Sequence, residues 1–256
     1  MLENFDWIKF LLYLLIGFFA QIIDGSLGMA YGVSANSFLL STGVSPVMAS
    51  ASVHISEVFT TLASGISHLK FKNVDMDLVK RLVIPGVLGG VIGAYLLVNF
   101  DSAILKPIIT VYLLIMGIRI FIKAFKNIPW IQFKGHHYTI LGGLGGFFDA
   151  VGGGGWGPIV TSTLLGKDDT PRKVIGSVNA SEFFVTLAEA ITFIATIGMA
   201  PLPIVLGLIV GGVIAAPMAA YLTSKIPSKV MFIVIGLVII FLQVRTILSM
   251  FGITIF

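Results

Sequence analysis

Two acidic residues, Glu57 and Glu182, lie in matching apolar surroundings of this 256-residue chain. Each stands 11 residues after a proline, Pro46 or Pro171, that can open a helix. Along a helix that spacing is about 16 Å, roughly half the thickness of a bilayer's hydrocarbon core. An ionised carboxylate facing lipid at that depth costs at least about 2.5 kcal/mol. Both side chains are therefore expected to face the interior and to exchange protons; the alternative is a structural acid held by neighbouring hydroxyl groups.

Hydrogen-bond donors accompany both glutamates. His54 and Asn179 stand one turn earlier and both can donate to an anion, while His54 can also carry a proton. Ser56 and Ser181 add hydroxyl donors, although small hydroxyl residues also serve close helix packing in membranes. Glu189, two turns beyond the second glutamate, can extend a proton path. These residues predict a site where an anion and a proton meet.

Two glycine-rich segments are expected to line that site. D-G-S-L-G-M-A-Y-G (24–32) corresponds to D-A-V-G-G-G-G-W-G (149–157). Such segments interrupt a helix, and the N–H groups freed at a half-helix N-terminus attract an oxyanion; close helix packing is the alternative. The predicted substrate contacts in these segments are Gly28, Tyr31, Gly32, Gly153, Gly154, Gly155, Trp156 and Gly157. Asp24 and Asp149 flank the breaks, as helix caps or as members of a proton path.

These features occur twice because the chain repeats itself at an offset of 125 residues. Residues 21–67 align without a gap to 146–192, and 16 of the 47 positions are identical. Loop charges reverse between the halves: the loop after the third segment is basic in the first half (Lys72), and the loop after the second segment is basic in the second half (Lys167). Since basic loops stay in the cytoplasm, the halves are expected to enter the membrane in opposite orientations.

Composition indicates a polytopic helical membrane protein. Hydrophobic residues make up 57% of the chain, charged residues 11%, and the mean hydropathy is +1.03, which leaves too little polar surface for a soluble domain. The predicted apolar segments are 7–24, 26–42, 46–68, 79–99, 102–124, 136–150, 152–166, 171–196, 201–222 and 227–250. The first two segments of each half are short and interrupted by glycine, as broken or re-entrant helices are. The predicted fold is an all-α bundle of two inverted-topology five-segment repeats, 1–125 and 126–256, with both termini outside the cell.

Other functions fit the sequence poorly. The chain has no cysteine, which excludes disulfides and thiol chemistry, and its glycine run lacks the G-K-[ST] of a P-loop. His136 and His137 have no metal-ligand spacing. The net charge of +4 suits loops that face anionic lipid better than it suits nucleic-acid binding. No enzyme activity, cofactor or metal site is predicted.

The paired glycine breaks and two related helices resemble the sulfite exporter TauE/SafE family. The helices carry S-V-H-I-S-E-V-F-T-T-L-A (52–63) and S-V-N-A-S-E-F-F-V-T-L-A (177–188). The resemblance implies an inner-membrane secondary carrier for small sulfur-containing or organic anions, coupled to protons, with the glycine breaks lining the substrate path. The expected partners are a small anion, protons and the lipid bilayer; a monomer and a homodimer both remain open. A passive anion channel, and a cation or metal carrier that uses the two aspartates and the two matched glutamates as ligands, are the alternatives.

Overall fold

Helices account for all the regular structure in the part of the chain that our computed structural model describes, residues 6–27, 29–70, 72–126, 137–164, 171–222 and 228–253. The elements are α1 (Trp7–Leu27), α2 (Tyr31–Ser41), α3 (Pro46–Lys70), α4 (Met76–Asn99), α5 (Ser102–Lys123), α6 (Tyr138–Gly152), a π-helical turn (Gly157–Thr161) that leads into α7 (Ser162–Leu164), α8 (Pro171–Ile197), α9 (Leu202–Leu222) and α10 (Ser228–Met250). The segments long and apolar enough to cross a membrane are Trp7–Asp24, Met76–Asn99, Ser102–Lys123, Lys173–Ile197 and Phe232–Met250. The predicted all-helical membrane fold is therefore confirmed.

Prolines and capping side chains determine where several helices begin. α3 begins at Pro46, and the hydroxyl of Ser45 accepts a hydrogen bond from the amide of Met48 at 3.4 Å. α8 likewise begins at Pro171, whereas Thr170, the residue before it, lies outside the described residues. These starts are the ones that the two prolines predict.

α1 differs from the short, interrupted first segment that was expected. It continues without a break for 21 residues, through Gly17, whose missing side chain leaves room for the backbone of Leu208 on α9. Close contact with a neighbouring helix offsets the low helix propensity of glycine. The chain breaks only after α1: Ala30 has a φ of +90° and α2 is 11 residues long. Gly28, one of the predicted contacts, lies outside the described residues.

In the second half the first two segments are short, as expected. α6 is 15 residues long and ends at a left-handed glycine, Gly153. The chain resumes as the five-residue π-helical turn and the three-residue α7. Glycine-rich backbone therefore interrupts the chain between α6 and the π-helical turn, at the depth where the repeat places the break between α1 and α2.

The two helices that carry the candidate site, α3 and α8, cross at the centre of the bundle. His54 of α3 lies opposite Glu189 of α8, and further along α3, Ser64 lies opposite Asn179. As the residue number rises on one helix it falls on the other. α3 and α8 therefore run in opposite chain directions where they meet.

The outer helices pair through glycine contacts. α1 packs on α9 and α4 packs on α6. Gly207 of α9 faces the backbone of Phe10, and Gly211 faces that of Leu14, so α1 and α9 run in the same chain direction. Glycines of α4 and α6 make the second contact in the same manner. Small residues allow the backbones to approach closely, which is a common way for membrane helices to associate.

Polar and apolar residues are separated across the bundle. Large apolar side chains are exposed on the outer helices, as at Ile8 (83%), Ile84 (68%) and Ile104 (60%), a surface suited to lipid. The buried polar side chains cluster instead on α2, α3 and α8, with Ser50, His54 and others fully enclosed. The fold thus places its polar chemistry at the centre, between α3 and α8.

Candidate functional site

His54 is at the centre of a fully buried polar cluster. Its Nδ1 atom lies 2.7 Å from the backbone oxygen of Ser50, and its Nε2 atom lies 2.9 Å from Oε2 of Glu189 and 3.7 Å from Oδ2 of Asp149. A carbonyl oxygen only accepts, so Nδ1 carries a hydrogen. Nε2 then either carries a second hydrogen, which makes the ring a cation, or accepts one from a protonated Glu189. Either way, a proton lies between Nε2 and the glutamate.

Glu189 reaches His54 because a glycine stands beside it on α4. A Cβ atom on Gly90 would lie 2.9 Å from Cδ of Glu189 and nearer still to one carboxylate oxygen. Both carboxylate oxygens are buried and have no other hydrogen-bond partner among the described residues. The imidazole ring of His54 is thus the polar group that this carboxylate contacts.

Asp149 connects the histidine to the glycine break of the second half. Its Oδ1 atom accepts hydrogen bonds from the amides of Gly155 at 2.6 Å and Trp156 at 2.9 Å, while its Oδ2 atom faces His54. Gly153 adopts a φ of +65°, in the left-handed region that glycine enters without steric cost. That turn allows the following amides to point back to the carboxylate.

The break of the first half has the same connection in a weaker form. Oδ1 of Asp24 accepts a single hydrogen bond, from the amide of Tyr31, at 3.4 Å. Tyr31 is equivalent to Trp156 in the repeat. Both aspartates therefore hold an amide of the segment that follows, as a helix-capping carboxylate does.

The two glycine breaks lie directly against each other. Gly32 is beside the backbone of Gly153 and Gly154, and Gly157 is beside the backbone of Met29. A side chain at Gly32 or Gly157 would overlap with that backbone. The structure thus brings together, at one place, those predicted substrate-contact glycines that it describes.

Asn179 and Ser64 occupy the positions equivalent to His54 and Glu189 at the repeat offset of 125. Nδ2 of Asn179 donates to the backbone oxygen of Ile175 at 3.0 Å, one turn back on its own helix, as Nδ1 of His54 does. Oδ1 of Asn179 accepts from the hydroxyl of Ser64 at 3.4 Å, where Nε2 of His54 faces Glu189. The two half-sites have the same connections, made by ionisable groups in one and by neutral groups in the other.

Glu57 and Glu182 lie close to this centre without forming an ion pair in the part of the chain that the structure describes. Glu57 is buried, with Oε1 against Gly32 and Oε2 lacking a hydrogen-bond partner. Glu182 is half-buried. Glu57 interacts electrostatically with His54 and Asp149, and Glu182 interacts with Glu57. Glu57 is thus enclosed next to the meeting point of the breaks, and Glu182 lies at its edge.

The hydroxyl and aromatic side chains that were predicted to contact substrate donate their hydrogen bonds to backbone oxygens of the protein. Ser56 and Ser181 each donate to a backbone oxygen one turn earlier on their own helices, at 2.7 Å. The hydroxyl of Tyr31 donates to a backbone oxygen of α9 at 3.4 Å, and the indole N–H of Trp156 donates to one of α8 at 3.2 Å. In this conformation the geometry of these four side chains is that of packing residues.

Three further residues of the site were not identified from the sequence. The hydroxyl of Ser50, one turn before His54, donates to the backbone oxygen of Ala150 at 2.5 Å. Nδ2 of Asn36 donates to the backbone oxygen at the end of α6. The hydroxyl of Tyr112 on α5 lies beside Gly155. A serine one turn before a membrane histidine is a signal that could have been used, whereas Tyr112 lies outside the aligned repeat and had none.

The cluster places three donor groups, from His54, Asp149 and Glu189, within 4.8 Å of one another. The cation-carrier alternative expected four acidic ligands, the two aspartates and the two matched glutamates. Of those four, only Asp149 belongs to this cluster. The separation of 2.9 Å between Nε2 and Oε2 is the distance of a close ion pair, so a proton held by either group offsets the charge of the carboxylate. The cluster can therefore take up a proton and change its net charge inside the membrane.

Comparison with known proteins agrees with the membrane architecture. The family model for the sulfite exporter TauE/SafE family matches residues 13–246. The chain is also similar to a Bacillus subtilis (strain 168) protein named "Probable membrane transporter protein YtnM", with 42% identity over 252 residues that cover 94% of this chain and 83% of the relative. No solved structure matches the chain. Both matches are to membrane transporters, which confirms the expectation that the chain is not an enzyme. With a family model that spans nearly its whole length, this chain belongs to the sulfite exporter TauE/SafE family.

Proposed function

We propose that the protein exports a small sulfur-containing or organic anion by alternating access, coupled to protons. The observation that carries the proposal is the meeting of the two glycine breaks beside the buried cluster of His54, Glu189 and Asp149. Backbone amides at the breaks suit an oxyanion, and the cluster next to them can change its charge. The family description supports sulfite, or a short sulfonate, as the substrate class.

We propose further that the halves, 1–125 and 126–256, are inverted repeats in the inner membrane with both termini outside. Two observations support this arrangement. The equivalent helices α3 and α8 cross in opposite chain directions, and the loop charges reverse between the halves. Because the chain has no cysteine, single cysteines at Lys72 and Lys229 can be labelled from either side. Labelling from the cytoplasmic side at both positions is expected; opposite sides would contradict the inverted arrangement.

The contact between the breaks suggests where the pathway opens. Asp149 occupies the amides of Gly155 and Trp156 in this conformation, so it takes the place that an oxyanion would take. Gly32 meets the backbone of Gly153 and Gly154, Gly157 meets the backbone and Cβ of Met29, and the Asn36 side chain donates to the backbone oxygen of Gly152. Substrate access therefore requires that the breaks separate and that the aspartate releases its amides.

Protons enter this scheme through the acids near the breaks, Glu57, Glu182, Asp24 and Asp149. A bound anion repels ionised carboxylates and so favours their protonated forms, and protonated carboxylates in turn favour anion binding. That reciprocity is the coupling free energy between the two ligands. When both ligands move through the same change in access they cross in the same direction, so a proton gradient directed outwards drives export of the anion.

The test is transport of sulfite and of short sulfonates by purified protein in liposomes, with an imposed pH gradient. The wild type is expected to accumulate or release anion in response to the gradient, and E57Q and E182Q are expected to lose that response in part. Correctly inserted E57Q and E182Q with wild-type pH dependence would contradict the role of these acids. Anion flux that follows only the electrochemical gradient, by reversal-potential recording, would instead identify a passive channel.

A further inference from the structure

We propose that the transported proton is bound by the pair of His54 and Glu189, and that only this one of the two half-sites binds it. The inference rests on the proposed proton-coupled function and names the proton site within it. It also assigns the central role to Glu189, which has no carboxylate counterpart in the repeat, rather than to the matched pair Glu57 and Glu182.

The geometry of the pair is that of a buried ion pair, which needs a proton on the imidazole or on the carboxylate. Both side chains are 0% exposed, Nε2 and Oε2 are 2.9 Å apart, and Nδ1 already donates to the backbone of Ser50. Without a proton between them, two lone pairs would face each other in a region from which water is excluded. A second proton, on Oε1 of the glutamate, displaces no existing hydrogen bond, because that atom has no hydrogen-bond partner among the described residues.

Counting charges shows what the second proton does. Asp149 accepts two amide hydrogen bonds through Oδ1 and faces His54 with Oδ2. With His54 as a cation and both carboxylates ionised, the cluster carries one net negative charge. A proton from water added to the carboxylate of Glu189 makes the cluster neutral, and no other bond changes. The neutral cluster is the one that tolerates an anion at the adjacent break.

The same proton can release the amides of the break. When Glu189 is protonated, Asp149 becomes the only carboxylate partner of the His54 cation, at 3.7 Å from Nε2. The aspartate is then drawn towards the ring and away from the amides of Gly155 and Trp156, which are the donors that an oxyanion needs. Protonation and anion binding are therefore linked through one side chain.

The other half-site cannot perform this step. Asn179 and Ser64 occupy the equivalent positions and neither side chain gains or loses a proton near neutral pH. The equivalent of Glu189 is a serine hydroxyl, so this half-site holds no carboxylate beside Asn179.

Other ionisable groups surround the pair and set the pH at which it fills. Asp149 of α6 and Glu57 of α3 act on His54 or on its partners, and Glu182 of α8 and Asp24 of α1 act on Glu57. Tyr112 of α5 interacts with Asp149. The ring of Phe193 covers the imidazole at 5.9 Å, and α4 contributes Gly90, which carries no charge. The surrounding charges are mostly negative, which favours the cationic ring.

Proton uptake on anion binding tests the site directly. Purified protein in weakly buffered detergent, with a pH-sensitive dye, is titrated with a short sulfonate, whose sulfonate group takes no proton near neutral pH. The wild type is expected to take up as much as one proton per sulfonate bound. E189Q, H54N and the double variant H54N/E189S, which reproduces the neutral half-site, are expected to reduce the uptake at least tenfold. S64A is the matched control and is expected to keep the wild-type uptake.

Each unexpected result of the proton-uptake experiment leads to a different conclusion. Wild-type uptake in folded E189Q or in folded H54N/E189S would overturn the inference while leaving proton coupling intact. Loss of uptake in E57Q together with its retention in E189Q would move the site to Glu57 and also overturn the inference. Uptake that disappears on addition of a metal chelator would mean that the uptake depends on a bound metal ion, and would also overturn the inference. Sulfonate binding by the wild type without any proton uptake would overturn the proposed function itself.

Discussion

The two half-sites at the centre of the bundle, His54 with Glu189 and Asn179 with Ser64, make equivalent contacts with different chemical groups. In one, His54 joins its own helix to Glu189; in the other, Asn179 joins its own helix to Ser64. The difference shows how a duplicated fold can divide labour. The repeat supplies two equivalent contacts where α3 and α8 cross in opposite directions. The residues differ at two pairs of equivalent positions, 54/179 and 64/189, so one contact is ionisable and the other is neutral.

The glycine breaks also differ between the halves, in the strength of the hydrogen bonds that an aspartate makes to each break. Asp149 holds its break with hydrogen bonds of 2.6 Å and 2.9 Å, whereas Asp24 makes one of 3.4 Å. Asp149 also faces His54, so the tighter break belongs to the ionisable half-site. Substitutions made in matched pairs, one in each half, measure how far this asymmetry extends.

The largest difference is expected between E189A and S64A. Removing Glu189 leaves a buried imidazole with a single, more distant carboxylate, and breaking a buried ion pair costs about 3 kcal/mol. Removing the Ser64 hydroxyl deletes one neutral hydrogen bond, worth about 1 kcal/mol. Thermal unfolding in detergent measures both. Equal losses of stability would mean that His54 and Glu189 do not form a charged pair.

The second comparison is between Gly90 on α4, beside Glu189, and Gly212 on α9, beside Thr60. G90A places a methyl group against the Glu189 carboxylate and is expected to cost about 2 kcal/mol through overpacking. G212A places a methyl group 3.1 Å from Cγ2 of Thr60, an apolar contact that needs only a small shift, and is expected to cost about 1 kcal/mol. The double variant G90A/E189S, which removes the carboxylate that the methyl group meets, should recover most of the stability lost in G90A. If it does not, the glycine serves some contact other than that with the glutamate.

The aspartates provide the third comparison. D149A removes two amide hydrogen bonds and is expected to cost about 2 kcal/mol, the upper end for a lost cap, whereas D24A removes one long bond and is expected to cost about 0.5 kcal/mol. Hydrogen exchange of the amides at positions 155, 156 and 31 separates loss of the cap from general unfolding. Faster exchange at Tyr31 in D24A than at Trp156 in D149A would reverse the proposed order.

The smallest effects are expected for S56A and S181A. Both hydroxyls donate to backbone oxygens that already belong to helix hydrogen bonds, so each loss is expected to be about 0.5 kcal/mol, and the same in both halves. Sulfonate affinity in the two variants is expected to stay within about twofold of the wild type, since an oxyanion gains no donor from a hydroxyl already engaged. A tenfold loss of affinity in either variant would return that serine to the binding site.

Local signals were enough to predict much of the fold. Pro46 and Pro171 predicted the starts of α3 and α8, and the glycine run after Asp149 predicted the end of α6 and the break that follows. α1 was the exception, because Gly17 reads as a weak point in isolation and only the contact with α9 shows why the helix continues. Tertiary contacts outweighed local propensity there.

The sequence was enough to predict where the candidate site lies, but not which side chains contact each other within it. Repeat symmetry drew attention to residues that match, such as Glu57 and Glu182. The pairing of His54 with Glu189 depends on the register in which α3 and α8 cross, and no sequence period encodes that register. Symmetry also gave Glu189 only the secondary role of extending a proton path, because its counterpart Ser64 carries no charge. In this chain the departures from the repeat carry more information about chemistry than the matches do.

The central claim is that one half-site carries the proton, and the most direct measurement is the number of protons moved per sulfonate in liposomes by the wild type and by H54N/E189S. The wild type is predicted to move protons with the anion, and the double variant is predicted to let sulfonate run down its own gradient without proton movement. A double variant that still moves protons at the wild-type ratio would contradict the account.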